Sequence, residues 1–400
     1  MAKYPNRKLI LEDGQQYAGF SFGDTSDKVL EIVFNTSMAG YQEILSDPSY
    51  TDQAVVMTYP LIGNYGMANE DYETDIPTIG ALIVHEYNDE PSNFRSTSTL
   101  NDVMCRCGIA GISGVDTRKL NRSIRDFGTR KVLITDISTT LEDGLKILRG
   151  AQLPRDAVSR VSSRSIWRSP ALTDDSAPPV TSALQGRDTV SAPVQAGNPG
   201  TAVAKPFPFH IVLIDCGMKR GILRSLNRRG CDVTIVPWNT SAAEIRALRP
   251  DGVLISNGPG DPTDVPQTIA AVRELLGFCP VFGICLGHQI LSLAYGAGTY
   301  KLVFGHRGGN HPVRDLETGK IEITSQNHSY AVDAGSLSGT PLSITHINIL
   351  DNTVEGVKCE RDRAFSVQYH PESSPGPQDS AYLFDRFLSL IRESKEVSHA

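Results

Sequence analysis

Pro280–Leu291, PVFGICLGHQIL, runs from a short apolar segment into a helix-like pattern through Gly-Ile-Cys-Leu-Gly. An apolar run of this length, bounded by turn residues, reads as a buried strand. A cysteine between two glycines where such a strand meets a helix is the cysteine form of the nucleophile elbow, a sharp turn that forces the side chain out at the top of a sheet. Gly283 and Gly287 allow the tight backbone approach. The helix opening near Leu286 points its free N–H groups and positive dipole end at the sulfur, which favours thiolate and offers donors to an oxyanion. Most intracellular cysteines are small buried apolar residues. The flanking glycines and the turn make Cys285 a candidate nucleophile instead.

The surrounding half of the chain repeats one unit. HIVLID, DVTIVPW, GVLIS and PVFGIC are near-continuous apolar runs, and KRGILRSLNRRG, SAAEIRALRP and VPQTIAAVRELLG between them carry helical spacing. Alternation of this kind predicts a doubly wound, mostly parallel α/β sheet covered on both faces. Ligands in such sheets lie at the carboxyl ends of the strands, where SNGPGDP and GICLGHQ fall. A thiolate also needs a base. In AFSVQYHPESSPGP, Phe365, Val367 and Tyr369 alternate as a strand that delivers His370 at its end, with Glu372 two residues on. His370 can take the thiol proton and later protonate a leaving amine, while Glu372 holds the imidazole tautomer. LISNGPGDP, with Gly258 and Gly260, reads either as an ordinary βα turn or as a loop whose N–H groups approach a tetrahedral intermediate.

Other chemistries find less support. His306, His311 and His328 lack the i, i+4 spacing of a helical metal site and read as loop or packing histidines, so no metal site is expected. No G-x-x-x-x-G-K-[ST] stretch occurs. Against 45 acidic residues stand 38 basic ones, a net charge of −7 without a long basic run, which argues against nucleic acid as a partner. The seven cysteines are an odd number without CxxC spacing, and only Cys105 and Cys107 form a CxC pair, which fits a reducing compartment. No apolar segment approaches a signal-peptide core or a membrane span, so a soluble, cytoplasmic protein is expected.

At 400 residues the chain accommodates two or three domains, and two are expected. Residues 1–150 read as a mixed, β-rich α/β domain, with EIVFN, QAVVMTY and IGALIVHEY as strands. VDTRKLNRSIRDFG reads as a helix with Leu120, Ile124 and Phe127 on one stripe and Gly128 as its stop. Residues 151–208 form a linker, low in complexity and rich in Ser, Thr, Pro, Ala and Gly from Arg155 onward. Residues 209–400 hold the doubly wound domain.

Taken together, GICLGHQ, SNGPGDP and HPE resemble the class I, or triad, glutamine amidotransferases. VFNTSMAGYQEILSDPSY, YPLIGNYG, SNFR and VDTRKL further resemble the domain found in carbamoyl-phosphate synthase small subunits, and FGHRGGNHPV and HPESSPGP fit the same family. The resemblance implies that Cys285 attacks the side-chain amide of glutamine, forms a glutamyl thioester and releases ammonia, with His370 as acid/base and Glu372 orienting it. It places Gly258 and Gly260 in the oxyanion and substrate loop, Leu286, Gln289 and Asn327 along the glutamine pocket, and Ser49 reaching that pocket from the N-terminal domain. Where the family has Gly-Phe after Gln-Asn-His, this chain has Ser329 and Tyr330, at positions whose backbone holds the amino-acid end of glutamine; a serine serves there if its φ/ψ is allowed. The family also implies a large partner subunit, in a heterodimer or higher oligomer, that uses ATP, magnesium, bicarbonate and the tunnelled ammonia to make carbamoyl phosphate for pyrimidine and arginine synthesis, no cofactor being bound by this chain. Two other readings compete: a non-catalytic glutamine-binding or scaffold subunit, raised by Ser329, and a cysteine peptidase using the same Cys/His chemistry.

Overall fold

The alternating pattern of Lys28–Asn35, KVLEIVFN, buries Leu30, Ile32 and Val33 and seeds the N-terminal half. The computed structural model describes residues 4–172 and 209–399. Gln53–Met57 pairs parallel with Lys28–Asn35, Ala81–Ile83 with Gln53–Met57, and Ala110–Ser113 with Ala81–Ile83. Gln16–Gly23, Arg7–Leu11 and Arg130–Asp136 complete the circuit antiparallel, closing a barrel without a free edge. Inside it lie Leu9, Ile32, Val56, Ile83, Ile112 and Ile134 among others.

The expected helix spans Thr117–Phe127. The Asp116 carboxylate accepts from Lys119 N at 2.9 Å, and Gly128, at φ 85°, ends the helix. Leu120 and Ile124 are fully buried, whereas Phe127 is 72 % exposed. The apolar stripe therefore ends before the helix does, because Phe127 is the last helical residue and the chain turns away at Gly128.

The expected linker begins later than position 151. Ala157–Val161 is a helix, and Trp167–Ser169 pairs antiparallel with Cys231–Pro237 as the edge strand of the C-terminal sheet. A three-residue edge strand needs only one neighbour and carries little period of its own, so its exposed Arg/Ser-rich sequence did not announce it. The rest of the linker expectation, residues 173–208, lies outside the described residues.

In the C-terminal half, Cys231–Pro237, Phe209–Asp215, Gly252–Ile255, Val281–Ile284 and Ala364–Val367 lie side by side and parallel. Successive residues face opposite layers, and both layers are apolar: Leu213, Leu254 and Phe282 join one core, Val212, Ile214, Val253 and Val281 the other. Phe282 stacks on Phe365 at 4.4 Å and meets Phe384 and Phe387 of the helix Tyr382–His399. Beyond Ala364–Val367 the sheet continues antiparallel through Val354–Cys359, Ile321–Val332, Thr299–Asp315 and Ser343–Asn348. The stretches expected as histidine-bearing loops are thus strands of a long hairpin with two register shifts. Among the described residues no helix is long and apolar enough to cross a membrane.

The two helix positions make a direct test of where the barrel's cover ends. Leu120→Ala should lower stability by about 2–5 kcal/mol in urea unfolding, as deletion of a fully buried leucine does, while Phe127→Ala should stay within about 0.5 kcal/mol of the parent chain.

Candidate active site

The strand Val281–Ile284 gives way to the helix Leu286–Ala294 at Cys285, which sits at φ 55°, ψ −104°. A non-glycine residue in such a conformation is strained by about 1–3 kcal/mol and persists only where its surroundings overdetermine it. Here they do. Cys285 N donates to Val367 O at 2.9 Å, and Cys285 O accepts from His288 N and Gln289 N at 3.0 and 3.2 Å. The glycines on either side are required by packing: a Cβ on Gly283 would stand 2.5 Å from Gly287 O, and one on Gly287 would stand 2.2 Å from Ile255 O. The sulfur lies 3.5 Å from Asn327 O. The N–H groups of Leu286 and Gly287, in the first helical turn, have no intrahelical acceptor.

His370 follows the strand Ala364–Val367, which ends two residues before Tyr369, and its own N–H donates to Ser325 O at 2.9 Å. Its Nδ1 donates to Glu372 Oε1 at 2.7 Å, and Lys219 Nζ reaches the same oxygen at 2.9 Å. All three side chains are buried. Burial pushes the Glu372 carboxyl up, but the Lys219 ammonium and the His370 ring outweigh it and hold the group well below the usual carboxylate range. Burial likewise pulls His370 down, and the Glu372 carboxylate, with a smaller contribution from Cys285, outweighs that and raises it. His370 Nε2 makes no hydrogen bond among the described residues. The set can therefore hold a proton on His370 and deliver it from Nε2.

Residues from the barrel half complete the site. Asp47 accepts from Asn327 Nδ2 at 2.8 Å, and Ser49 Oγ accepts from Asn257 Nδ2 at 3.0 Å. Asn257 Oδ1 in turn accepts from Lys219 N at 3.0 Å. Glu73 takes the N–H groups of Arg220 and Gly221, both at 2.9 Å, which fixes the segment that carries Lys219.

Over Cys285 opens a cleft of about 220 Å³, a size that suits an amino acid better than a drug-sized ligand. Ser49, Gly258, Gly260, Leu286, Gln289, Asn327, Ser329 and Tyr330, all singled out from sequence, line it. His370 and Glu372 are not among the lining residues, and His370 connects to the cleft through its interaction with Cys285. The two loop glycines serve different needs. A Cβ on Gly258 would meet Cys216 O at 2.1 Å, whereas Gly260 has open space but a φ of +89°. Gln289 spends its amide nitrogen on Tyr330 O and Gln368 Oε1, at 2.8 and 3.0 Å, which leaves its carbonyl oxygen for a donor in the cleft. Ser329 is not among the residues with positive φ, so the serine needs no strained backbone, and its Oγ accepts from Arg307 Nη2 at 2.5 Å.

Residues 212–390 match the family model of the glutamine amidotransferase class-I domain, and residues 9–134 that of the carbamoyl-phosphate synthase small chain, CPSase domain. The chain belongs to the carbamoyl phosphate synthase small-chain family. It is 50 % identical over 397 residues to the carbamoyl phosphate synthase small chain of Bacillus caldolyticus, covering 98 % of this chain and 100 % of the relative. The Staphylococcus haemolyticus small chain is 47 % identical over 390 residues, covering 98 % and 97 %. The pyrimidine-specific small chain of Bacillus subtilis is 47 % identical over 394 residues, covering 98 % of each.

Lys219, Asn257, Asp47, Glu73 and Arg307 belong to the same site without having been among the candidates drawn from sequence. Lys219 and Asn257 were within reach, since each lies just beyond the carboxyl end of a parallel strand. Asp47, Glu73 and Arg307 carry no local signal, for they reach the site only through the packing of the two halves and the pairing of the hairpin.

A charge-removing variant tests the buried array. The raised His370 stabilises the parent fully below its unfolded value of about 6.5, and that contribution is lost as pH rises toward the folded value. In Glu372→Gln burial dominates and the sign reverses. Urea midpoints taken from about pH 6 to 9 should show the stability gap between parent and variant narrowing, by up to about 1.4 kcal/mol per unit. A gap independent of pH would mean that Glu372 does not hold the His370 proton.

Proposed function

We propose that this small chain hydrolyses glutamine. The observation that carries the reading is Cys285, strained and two-per-cent exposed, lining an amino-acid-sized cleft and interacting with His370 of the buried His370–Glu372–Lys219 array. With the Cys285 thiol proton transferred to His370, the sulfur attacks the side-chain carbonyl carbon of glutamine, and the N–H groups of Gly258 and Leu286 stabilise the oxyanion. Collapse breaks the C–N bond, His370 gives its proton to the departing nitrogen, and ammonia leaves a glutamyl thioester. Water deprotonated by His370 then cleaves the thioester to glutamate and the free thiol. Glu372 keeps the imidazole in the tautomer that presents Nε2, and Lys219 keeps Glu372 ionised.

The amino-acid end of the substrate fits the polar wall. The Gln289 carbonyl oxygen and the backbone of residues 327–330 suit its ammonium, and the buried guanidinium of Arg307, which also lines the cleft, supplies positive charge for its carboxylate. Ser329 favours no separate role as a mere binder, since its backbone is relaxed and its hydroxyl anchors Arg307. Ammonia passes to a large partner subunit, in a heterodimer or higher oligomer, and that subunit uses ATP and magnesium to make carbamoyl phosphate for pyrimidine and arginine synthesis in the cytoplasm.

Ammonia release from glutamine by the parent chain, alone and with a large subunit, decides the proposal. Cys285→Ala should lose activity on the order of 10⁴-fold or more while keeping the parent's melting temperature or exceeding it, because alanine removes the nucleophile without unfolding the turn. Turnover that survives the substitution, or a parent chain that cleaves peptides in preference to free glutamine, would overturn it.

A further inference from the structure

One cluster of titratable side chains takes no part in the proton transfers above. His306 and His328 face each other across the hairpin of Thr299–Asp315 and Ile321–Val332, and Glu355 approaches from the neighbouring strand Val354–Cys359. One ligand atom from each lies within 4.8 Å of the others, and His306 Nδ1 stands 3.5 Å from Glu355 Oε1. The three side chains are almost completely buried, at 6, 5 and 0 % exposure.

The ring nitrogens are divided in a way that packing alone does not require. His328 Nδ1 donates to Tyr330 O at 2.7 Å, which leaves Nε2 deprotonated, buried and without a partner among the described residues. His306 Nε2 is tied to Asp351 Oδ2 at 2.8 Å, and its Nδ1 has no hydrogen bond of its own. Each histidine is thus fastened through one nitrogen to a carbonyl or carboxylate and presents the other inward, the pattern by which proteins orient imidazoles for a metal. Glu355 is oriented in the same fashion, accepting from Asn348 Nδ2 at 3.1 Å and Gln326 Nε2 at 2.9 Å.

We propose that His306, His328 and Glu355 form a binding site for a divalent transition metal of the zinc class, with His328 itself part of the cleft wall. Two imidazoles and one carboxylate are a donor set that zinc accepts, with a water in the fourth position. Bonds of about 2.1 Å to a tetrahedral ion place ligand atoms roughly 3.4 Å apart. The His306–Glu355 separation already meets that spacing, and the other pairs close to it by side-chain rotation. Burial keeps His328 neutral, as a ligand must be. His306 is different: burial lowers it, but Asp351 and Glu355 outweigh burial and raise it to about 9, so a metal must displace one proton. The occupied site would clamp three strands together beside Asn327 and Ser329, both of which line the cleft.

The test uses the full-length chain with its accessible thiols alkylated by iodoacetamide, which removes Cys105 and Cys107 as competing ligands. With zinc chloride as the probe, the chain should retain one zinc after gel filtration and release about one proton per zinc at neutral pH, and its melting temperature should rise with zinc concentration. The zinc X-ray absorption edge should show nitrogen and oxygen neighbours with imidazole scattering. His328→Gln and Glu355→Gln should each weaken zinc binding at least 10-fold. Failure to retain zinc, a spectrum with sulfur neighbours or no imidazole, or variants that bind as tightly as the parent would overturn the site and leave His306 as a buried imidazolium between two carboxylates. Should the variants misfold, the absorption spectrum of the parent decides alone.

Discussion

A carboxylate with no exposure to water stays charged only where cations stand against it, and Glu372 has Lys219 on one side and His370 on the other. Burying three ionisable groups costs several kcal/mol each unless their mutual attraction and remaining hydrogen bonds offset the loss of hydration. Much of the molecule is arranged around that condition. The strand Phe209–Asp215 ends just before Lys219, Asn257 holds the lysine's backbone, and Glu73 of the barrel half secures the next two residues. Asp47 and Glu73 add negative charge that keeps Lys219 protonated against burial. Remove the barrel and Lys219 loses the countercharges Asp47 and Glu73, so the two halves are one electrostatic unit although they are separate in fold.

The second constraint is steric. Cys285 occupies a conformation that non-glycine residues avoid, and the energy stored there is held by neighbours with no room to move. Backbone from Ile255, Gly287 and Val367 converges on a few ångströms of space. Such a turn offers its side chain to the cleft while keeping the main chain rigid, so that a nucleophile is positioned without spending binding energy to orient it.

The C-terminal sheet was legible because its physics is local. Apolar runs buried on both faces alternate with helices, and a glycine-flanked cysteine and a histidine two residues from a glutamate are readable within short windows. The barrel's closure was not, since parallel pairing of three- to eight-residue strands depends on partners far along the chain. The same holds for Arg307, whose value depends on a hairpin register, and for Trp167–Ser169, a strand only because Cys231–Pro237 offers it an edge. Phe127 failed for the opposite reason: its periodicity was sound, but the surface beneath it ran out.

Distance along the chain also sets an order in time. Asp47 meets Asn327 across 280 residues, and Gly221 meets Glu73 across 148. The last strand of the barrel ends at Asp136, whereas Glu372 lies close to the end of the chain. At about 5–20 residues per second, a ribosome needs on the order of ten to fifty seconds to span that interval. Throughout it the barrel waits with Asp47, Ser49 and Glu73 lacking their partners Asn327, Asn257 and Gly221, and a waiting face made of carboxylates and a hydroxyl is well hydrated and repels its own copies. Polar residues at the seam thus let the nascent half remain single in solution until the half that carries the cysteine has emerged.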